Sequence, residues 1–126
     1  MLIALISTVI SAPRVFRVLM LGDVDEPLRR LLEDVLRDGR VRCELVAAPA
    51  RGADAAVVMV LVGEEARMIT AACTQAAGVP LLAILPFGDD RLAERVLSCG
   101  AQAWFALDSH LPLLRTRLAS LVDRAA

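Results

Sequence analysis

The segment VLMLGDVDEP, residues 18–27, runs from apolar residues into an acidic turn. Asp23, Asp25 and Glu26 are residues of the type that binds a divalent cation, and Mg²⁺ in phosphate-handling sites is usually held by such carboxylates. Further carboxylates follow two later apolar runs, at Glu64, Glu65, Asp89 and Asp90. Each of these groups could bind a metal or accept a phosphoryl group, or it could cap the helix that follows.

Other kinds of reactive site are not supported by the composition. His110 is the single histidine, and Cys43, Cys73 and Cys99 are far apart with no CxxC pair. An odd number of unpaired cysteines is typical of free, reduced thiols in a cytosolic protein. The net charge of -1 leaves no basic field for nucleic acid. Because the chain lacks a basic field, we expect no direct contact with nucleic acid. No nucleophile and base can be placed in one cleft, so we expect no enzyme activity, and we also expect no cofactor.

The elements that would position these carboxylates alternate along the chain. Strands are predicted at 14–21, 41–46, 55–62, 80–85 and 102–107. Helices are predicted to begin at Asp25 or Glu26, at Glu64, at Asp89 or Asp90, and at Asp108 or Ser109. The uninterrupted apolar runs are typical of central parallel strands that are covered on both faces. We therefore predict a flavodoxin-like α/β fold, with an open parallel five-stranded sheet in the order 2-1-3-4-5 and helices on both faces.

One crossover is too short for the usual helix. Residues 47–54 link the second and third strands, whereas a parallel crossover normally takes a dozen residues or more. Eight extended residues reach about 26–29 Å, which is enough to recross the sheet without a helix. We predict that the second helix of this fold is missing or very short. Residues 2–10 could fill the strip of sheet that this leaves bare, or they could form a frayed tail or pack on a neighbouring molecule.

The first 13 residues form an apolar extension that is distinct from the domain at 14–126. The extension has no Arg or Lys before its apolar run, and its ISAP sequence is a poor cleavage site, so it does not match a signal peptide. It is also too short to span a bilayer. We expect a cytoplasmic protein that does not contact the membrane.

Three segments between Val15 and Val122 form one pattern: VLMLGDVDEPLRRLLEDVL, GADAAVVMVLV and GVPLLAILPFGDDRLAERVLSCGAQAWFAL. Over this range the chain resembles a response-regulator receiver domain, the phosphoacceptor module of two-component signalling. The resemblance implies a site at the carboxyl ends of the strands. In that family an acidic pair holds Mg²⁺, an aspartate accepts the phosphoryl group, a threonine or serine bonds to it, and a lysine neutralises it.

Most of that machinery is missing from this sequence. The acidic pair falls on Gly22 and Asp23, the acceptor on Met59, the hydroxyl on Leu85 and the lysine on Leu107. Two observations do not depend on alignment: the chain has no lysine, and residues 55–63 contain no carboxylate. Asp23 alone is a weak cation ligand, because Mg²⁺ usually needs more oxygen ligands. The resemblance therefore implies a degenerate receiver, a pseudo-receiver.

The remaining function implied by the resemblance is protein interaction. Receiver-like domains use the face of their fourth helix, fifth strand and fifth helix to dimerise or to hold partners. Here that face would offer Arg91, Arg95, Trp104, Asp108, Arg115, Asp123 and Arg124. The alternative is that these charges form only a solvated face. Trp104 takes the place of the aromatic that reports activation in the family, or it is simply a large side chain of the core or the surface edge. Without a hydroxyl at Leu85 we expect the switch to be absent or to be biased by a partner instead.

We therefore expect a phosphorylation-independent, homodimeric interaction module of a bacterial two-component-like or transcriptional regulator. Two alternatives stay open. One is an active receiver with a non-standard acceptor such as Asp23 or Asp89, and the other is a flavodoxin-like domain that binds a small ligand.

Overall fold

The computed structural model describes residues 15–22, 24–37, 42–47 and 52–125. The strands in these ranges are β1 (Val15–Leu21), β2 (Arg42–Ala47), β3 (Ala55–Met59), β4 (Leu81–Leu85) and β5 (Ala103–Ala106). The helices are α1 (Glu26–Arg37), α2 (Glu65–Ala76), α3 (Asp90–Cys99) and α4 (Leu113–Ala125).

All neighbouring strands pair in parallel, in the order β2-β1-β3-β4-β5. In this register Leu21 lies beside Val58, and Met59 lies beside Ile84. At the amino-terminal end of β3, Asp54 fixes the start of the strand, since its carboxylate accepts a hydrogen bond from the Arg17 backbone N–H at 2.8 Å. The flavodoxin-like parallel α/β fold expected from the sequence is confirmed.

Two apolar cores lie on opposite faces of the sheet. On one face α1 and α4 contribute Leu32, Leu36, Leu114 and Leu118, which pack against Val18 and Phe105 among others. On the other face α2 and α3 contribute Ile69, Ala72, Leu92 and Val96, which pack against Leu19 and Val58 among others. Because β3 and β4 are covered on both sides, their sequences are continuously apolar rather than alternating.

The start and end of α3 follow from two residues. The Asp89 carboxylate accepts hydrogen bonds from the backbone N–H groups of Arg91 and Leu92, as an N-cap does. At the other end Gly100 has φ 125° and its N–H bonds to carbonyls of the last turn. An aspartate cap of this kind typically contributes about 1 kcal/mol to helix stability.

Two boundaries predicted from the sequence are wrong. The apolar run at 55–62 is not all strand, because β3 ends at Met59 and the chain turns through Gly63, whose φ is 91°. The last helix does not begin after Asp108 or Ser109. Residues 107–112 form turns, and α4 begins at Leu113 because the Asp108 carboxylate accepts a hydrogen bond from the Gly88 N–H instead of capping a helix.

Several predictions fall on parts of the chain outside the described residues. They include the apolar extension at 1–13 and its packing on the sheet, and Asp23. The short crossover lies partly outside them: β2 ends at Ala47 and β3 begins at Ala55, and the described part of that link, 52–54, is not helical. None of the helices in the described ranges is long and apolar enough to cross a membrane.

Candidate functional site

The carboxyl ends of β3, β4 and β5 carry apolar residues. Met59 is the last residue of β3 and is half-buried, and Leu85 is the last residue of β4 and is fully buried. Leu107 follows β5 directly, and its N–H bonds to the Leu85 carbonyl at 2.9 Å. None of these three side chains can accept a phosphoryl group or supply a cation to one. Met59 and Leu107 pack against the core formed with α1 and α4, whereas Leu85 lies in the core formed with α2 and α3.

The end of β1 gives a similar result. Gly22 has φ 79°, a conformation that favours glycine, and its place in the chain is explained by the turn that leaves the strand. An added Cβ there would meet Val58 Cγ2 at 3.9 Å, which is ordinary contact, so the backbone conformation rather than space favours glycine. Within the described ranges, no three His, Cys, Asp or Glu residues come together in a way that could hold a metal ion.

The carboxylates on the neighbouring loops take part in local structure. Asp89 caps α3, and Asp108 accepts a hydrogen bond from the Gly88 N–H at 3.0 Å. This second bond ties the loop after β4 to the turn after β5. Glu64 pairs with Arg67 at 2.8 Å on the first turns of α2. These contacts account for three of the carboxylates that a metal or phosphoryl site could have used.

One carboxylate is buried in a cleft between α2 and α3. The side chain of Glu65 is 6% exposed and lies 3.2 Å from Arg95, whose side chain is 65% exposed. The cleft has a volume of about 550 Å³, and Arg91 and Glu94 also line it. Hydrogen bonding by its own backbone is the largest cause lowering the pKa of the Glu65 carboxyl below its usual value. Burial opposes this shift, and Arg95 adds to it.

Comparison with known proteins identifies the fold. Searches against protein-family models and against curated proteins gave no match. Among solved structures, a response regulator from Thermotoga maritima superposes with a TM-score of 0.68 at 16% identity, over 86% of this chain and 98% of that one. The receiver domain of the Francisella response regulator 1452 gives 0.67 at 11% identity, over 90% and 99%. The chain has the response-regulator receiver fold.

A third receiver structure is useful for experiments. The beryllium fluoride-activated DrrB receiver domain superposes with a TM-score of 0.65 at 11% identity, over 87% of this chain and 99% of that one. At these identities the likeness shows the fold. It does not show that the chemistry of the neighbours is present here.

Within the receiver fold, the charged residues predicted for one interaction face are spread over several surfaces. Arg91 and Arg95 line the α2–α3 cleft. Arg115 lies towards α1, because its guanidinium donates to the Val35 carbonyl at 3.4 Å. Arg124 lines a different cleft with Pro80 and Gln102, near the start of β4 and β5. Asp123 is exposed on the last turns of α4. Asp108 lies on the turn after β5, where its carboxylate bonds to the Gly88 N–H.

Trp104 has a partner that the sequence did not reveal. The Arg117 guanidinium lies over the Trp104 ring, 5.3 Å from its centroid, and also donates to the Trp104 carbonyl at 2.9 Å. Such a stacked cation stabilises the position of the ring. The Ala106 carbonyl is likewise bonded, to the Ser109 N–H at 3.0 Å. Two carbonyls of the edge strand β5 therefore have partners from outside the sheet.

Neither Glu65–Arg95 nor Arg117–Trp104 could have been found from spacing. Glu65 and Arg95 are 30 residues apart and meet only because α2 and α3 are neighbours on one face of the sheet. The available signal was a charged residue inside an apolar helical stripe, and it does not say which residue is the partner.

Proposed function

We propose that the protein is a phosphorylation-independent pseudo-receiver, a protein-interaction module of a bacterial two-component-like or transcriptional regulator. The observation that carries the proposal is the apolar set Met59, Leu85 and Leu107 at the carboxyl ends of β3, β4 and β5. Phosphoryl transfer depends on Mg²⁺ and a cation that neutralise the charge spread over the phosphoryl oxygens. Apolar side chains at these places penalise a buried dianion instead.

The proposal extends to the protein's setting. A regulator of this kind acts in the cytoplasm, and the free thiols of Cys73 and Cys99 suit a reducing compartment. It has no catalytic activity of its own and no cofactor. Residues 14–126 are the receiver-like domain, and residues 1–13 are an extension of it.

Beryllium fluoride with Mg²⁺ tests the missing chemistry. We expect Trp104 fluorescence and the backbone NMR shifts to stay unchanged on titration, because no carboxylate on β3 can hold the fluoride complex. The DrrB receiver domain, described as beryllium fluoride-activated, is the positive control under the same conditions.

Two variants address a non-standard acceptor. If saturable shifts appear, Asp23→Asn and Asp89→Asn identify which carboxylate is responsible. Asparagine is as good an N-cap as aspartate, so Asp89→Asn leaves α3 capped while removing the acceptor. Shifts that either substitution abolishes would replace the pseudo-receiver with an active receiver.

We also propose that the module forms a homodimer through α3, β5 and α4, which correspond to the fourth helix, fifth strand and fifth helix of receiver-like domains. The edge strand β5 supports this, together with the half-buried Trp104 and the exposed Arg117 beside it. Since the Trp104 and Ala106 carbonyls already have partners, the dimer uses side-chain contacts rather than adding strands across β5.

Light scattering coupled to size exclusion measures this association. We expect the mass to rise from one chain to two with concentration, and Arg117→Glu to shift the equilibrium towards the monomer. Arg67→Glu makes the same change of charge on α2, away from this face, and should have no effect. A mass of one chain at every concentration, or equal effects of the two variants, would refute the dimer.

A further inference from the structure

Three exposed apolar side chains lie on the loops that follow the neighbouring strands β3 and β4. Leu61 and Val62 are each 57% exposed, and Phe87 is 45% exposed. The Val60 N–H bonds to the Ile84 carbonyl at 3.0 Å, so the two strands run side by side up to this point. Neighbouring strands are about 4.8 Å apart, so the two loops that follow β3 and β4 start next to each other. We call Leu61, Val62 and Phe87 the apolar rim.

The apolar rim is close in the chain to the degenerate site. Met59 ends β3 two residues before Leu61, and Leu107 follows β5; both are half-buried, and the receiver resemblance places phosphoryl chemistry at both. Single exposed apolar residues are common on protein surfaces. Exposed apolar residues grouped on adjoining loops are less common, and larger apolar patches of this kind often mark interaction sites.

Carboxylates surround the apolar rim. The exposed acidic residues at the carboxyl ends of the strands and the adjoining helix starts are Asp25, Glu26, Asp89, Asp90 and Asp108. They lie on the loops and first turns after β1, β4 and β5, so they stand on either side of the patch. Three exposed arginines lie on the same helix starts: Arg67 is paired with Glu64, Arg30 is paired with Glu26, and the third is Arg91, so the acidic residues outnumber the basic ones. The patch is therefore apolar in its centre and predominantly negative at its edge.

We propose that the apolar rim binds a basic amphipathic helix of a partner protein. The inference rests on the proposed function as an interaction module and names a surface for it that is separate from the α3–β5–α4 face. Apolar side chains spaced at i, i+3 and i+4 along such a helix fill the patch, which is how helices dock in apolar grooves. Lysine or arginine side chains on its flanks meet the surrounding carboxylates and fix its orientation.

Charge also argues against the other occupants. A second copy of the rim would bring one predominantly negative edge against another in a two-fold pairing, and like charges so placed are unfavourable. An anionic membrane surface is repelled for the same reason. A basic helix satisfies both the apolar centre and the negative edge.

Two synthetic peptides of about fourteen residues, or roughly four helical turns, test the proposal. One has leucines at helical spacing and lysines elsewhere, and the other replaces the lysines with glutamates. We expect the leucine–lysine peptide to bind saturably in NMR titrations, with the largest shifts at Leu61, Val62 and Phe87. We expect no binding of the leucine–glutamate peptide, and weaker binding of the first peptide at high salt.

Variants of the full chain locate the contact. Phe87→Ser and the double variant Leu61→Ser with Val62→Ser should each weaken binding by about tenfold or more, as expected when an interface anchor is truncated. Leu97→Ser is the matched control. Leu97 is also exposed, at 42%, but it lies on the last turn of α3, at the other end of that helix. Circular dichroism melts of each variant separate lost binding from lost folding.

Three outcomes would overturn the inference. They are no binding of the leucine–lysine peptide, equal binding of the two peptides, or equal weakening by Leu97→Ser and Phe87→Ser. Self-association that the rim variants abolish would assign the surface to a second copy instead. These results are independent of the beryllium fluoride titration. The proposal of helix binding at the apolar rim can therefore be refuted while the pseudo-receiver proposal stands, and the reverse.

Discussion

Phe105→Ala should lower the free energy of unfolding by about 3–5 kcal/mol. Phe105 lies on β5, is 1% exposed and packs in the core that α1 and α4 form on one face of the sheet. Removing its ring leaves a cavity between the sheet and the two helices, which can close over it only in part. Both the lost transfer free energy of the ring and the remaining cavity therefore lower the stability. Urea denaturation followed by far-UV circular dichroism measures the change.

Phe87→Ala is the control with the same chemical change. Phe87 is half exposed on the apolar rim, so we expect its truncation to alter the free energy of unfolding by no more than about 0.5 kcal/mol. It should still weaken binding of the leucine–lysine peptide. A loss of stability for Phe87→Ala as large as that for Phe105→Ala would mean that the rim is packed rather than free, and it would contradict both assignments.

The apolar sequence predicts which strands are buried, but it does not predict which apolar residues stay exposed, as Phe87 does. Continuous apolar runs correctly indicated central parallel strands, because strands covered on both faces have no polar side to display. The same reasoning extended β3 to Val62, and there it was wrong. An apolar run that continues past the end of a strand looks the same in the sequence whether it is buried or forms an exposed patch.

The site was predictable to a similar extent. The absence of lysine and the lack of a carboxylate at 55–63 favour a missing phosphoryl site, which stays a prediction until the beryllium fluoride titration tests it. The sequence also indicated correctly that Asp89 or Asp90 caps a helix. It could not place Asp108, because the partner of its carboxylate is a backbone N–H twenty residues away on another loop. Contacts that depend on which loops lie side by side need the assembled sheet.

The grouping of Arg91, Arg95, Arg115 and Arg124 on one face shows the same limit. Sequence position assigns a residue to a helix, but the side on which it lies is set by the partners that it finds. Arg95 is turned towards α2 by the buried Glu65 carboxylate, and Arg115 towards α1 by the Val35 carbonyl. An interaction surface built from this chain therefore depends less on these arginines than the sequence alone indicated.

Among the glycines that the structure describes, Gly100→Ala should be the most disruptive substitution, with a loss of roughly 1–3 kcal/mol from backbone strain alone. Gly100 ends α3 with φ 125°, a conformation that residues with a Cβ rarely adopt. An added Cβ would also lie 3.0 Å from Cys73 Sγ on α2, closer than such atoms normally approach. The substitution therefore combines backbone strain in the turn before β5 with a steric clash between the end of α3 and Cys73 on α2.

Gly78→Ala separates these two causes. Gly78 also has a positive φ, 93°, but an added Cβ there meets nothing within 4 Å, so it reports strain without a clash. We expect Gly100→Ala to cost more than Gly78→Ala, and Cys73→Ala to recover part of the difference in a double-mutant cycle of unfolding free energies, since residues in contact are coupled by about 0.5–3 kcal/mol. If the two glycine variants are equally stable, or if the coupling with Cys73 is zero, then α2 and α3 are not held as closely at this point. The α2–α3 cleft and its buried Glu65 would then have to be reconsidered, because the same helix packing positions both.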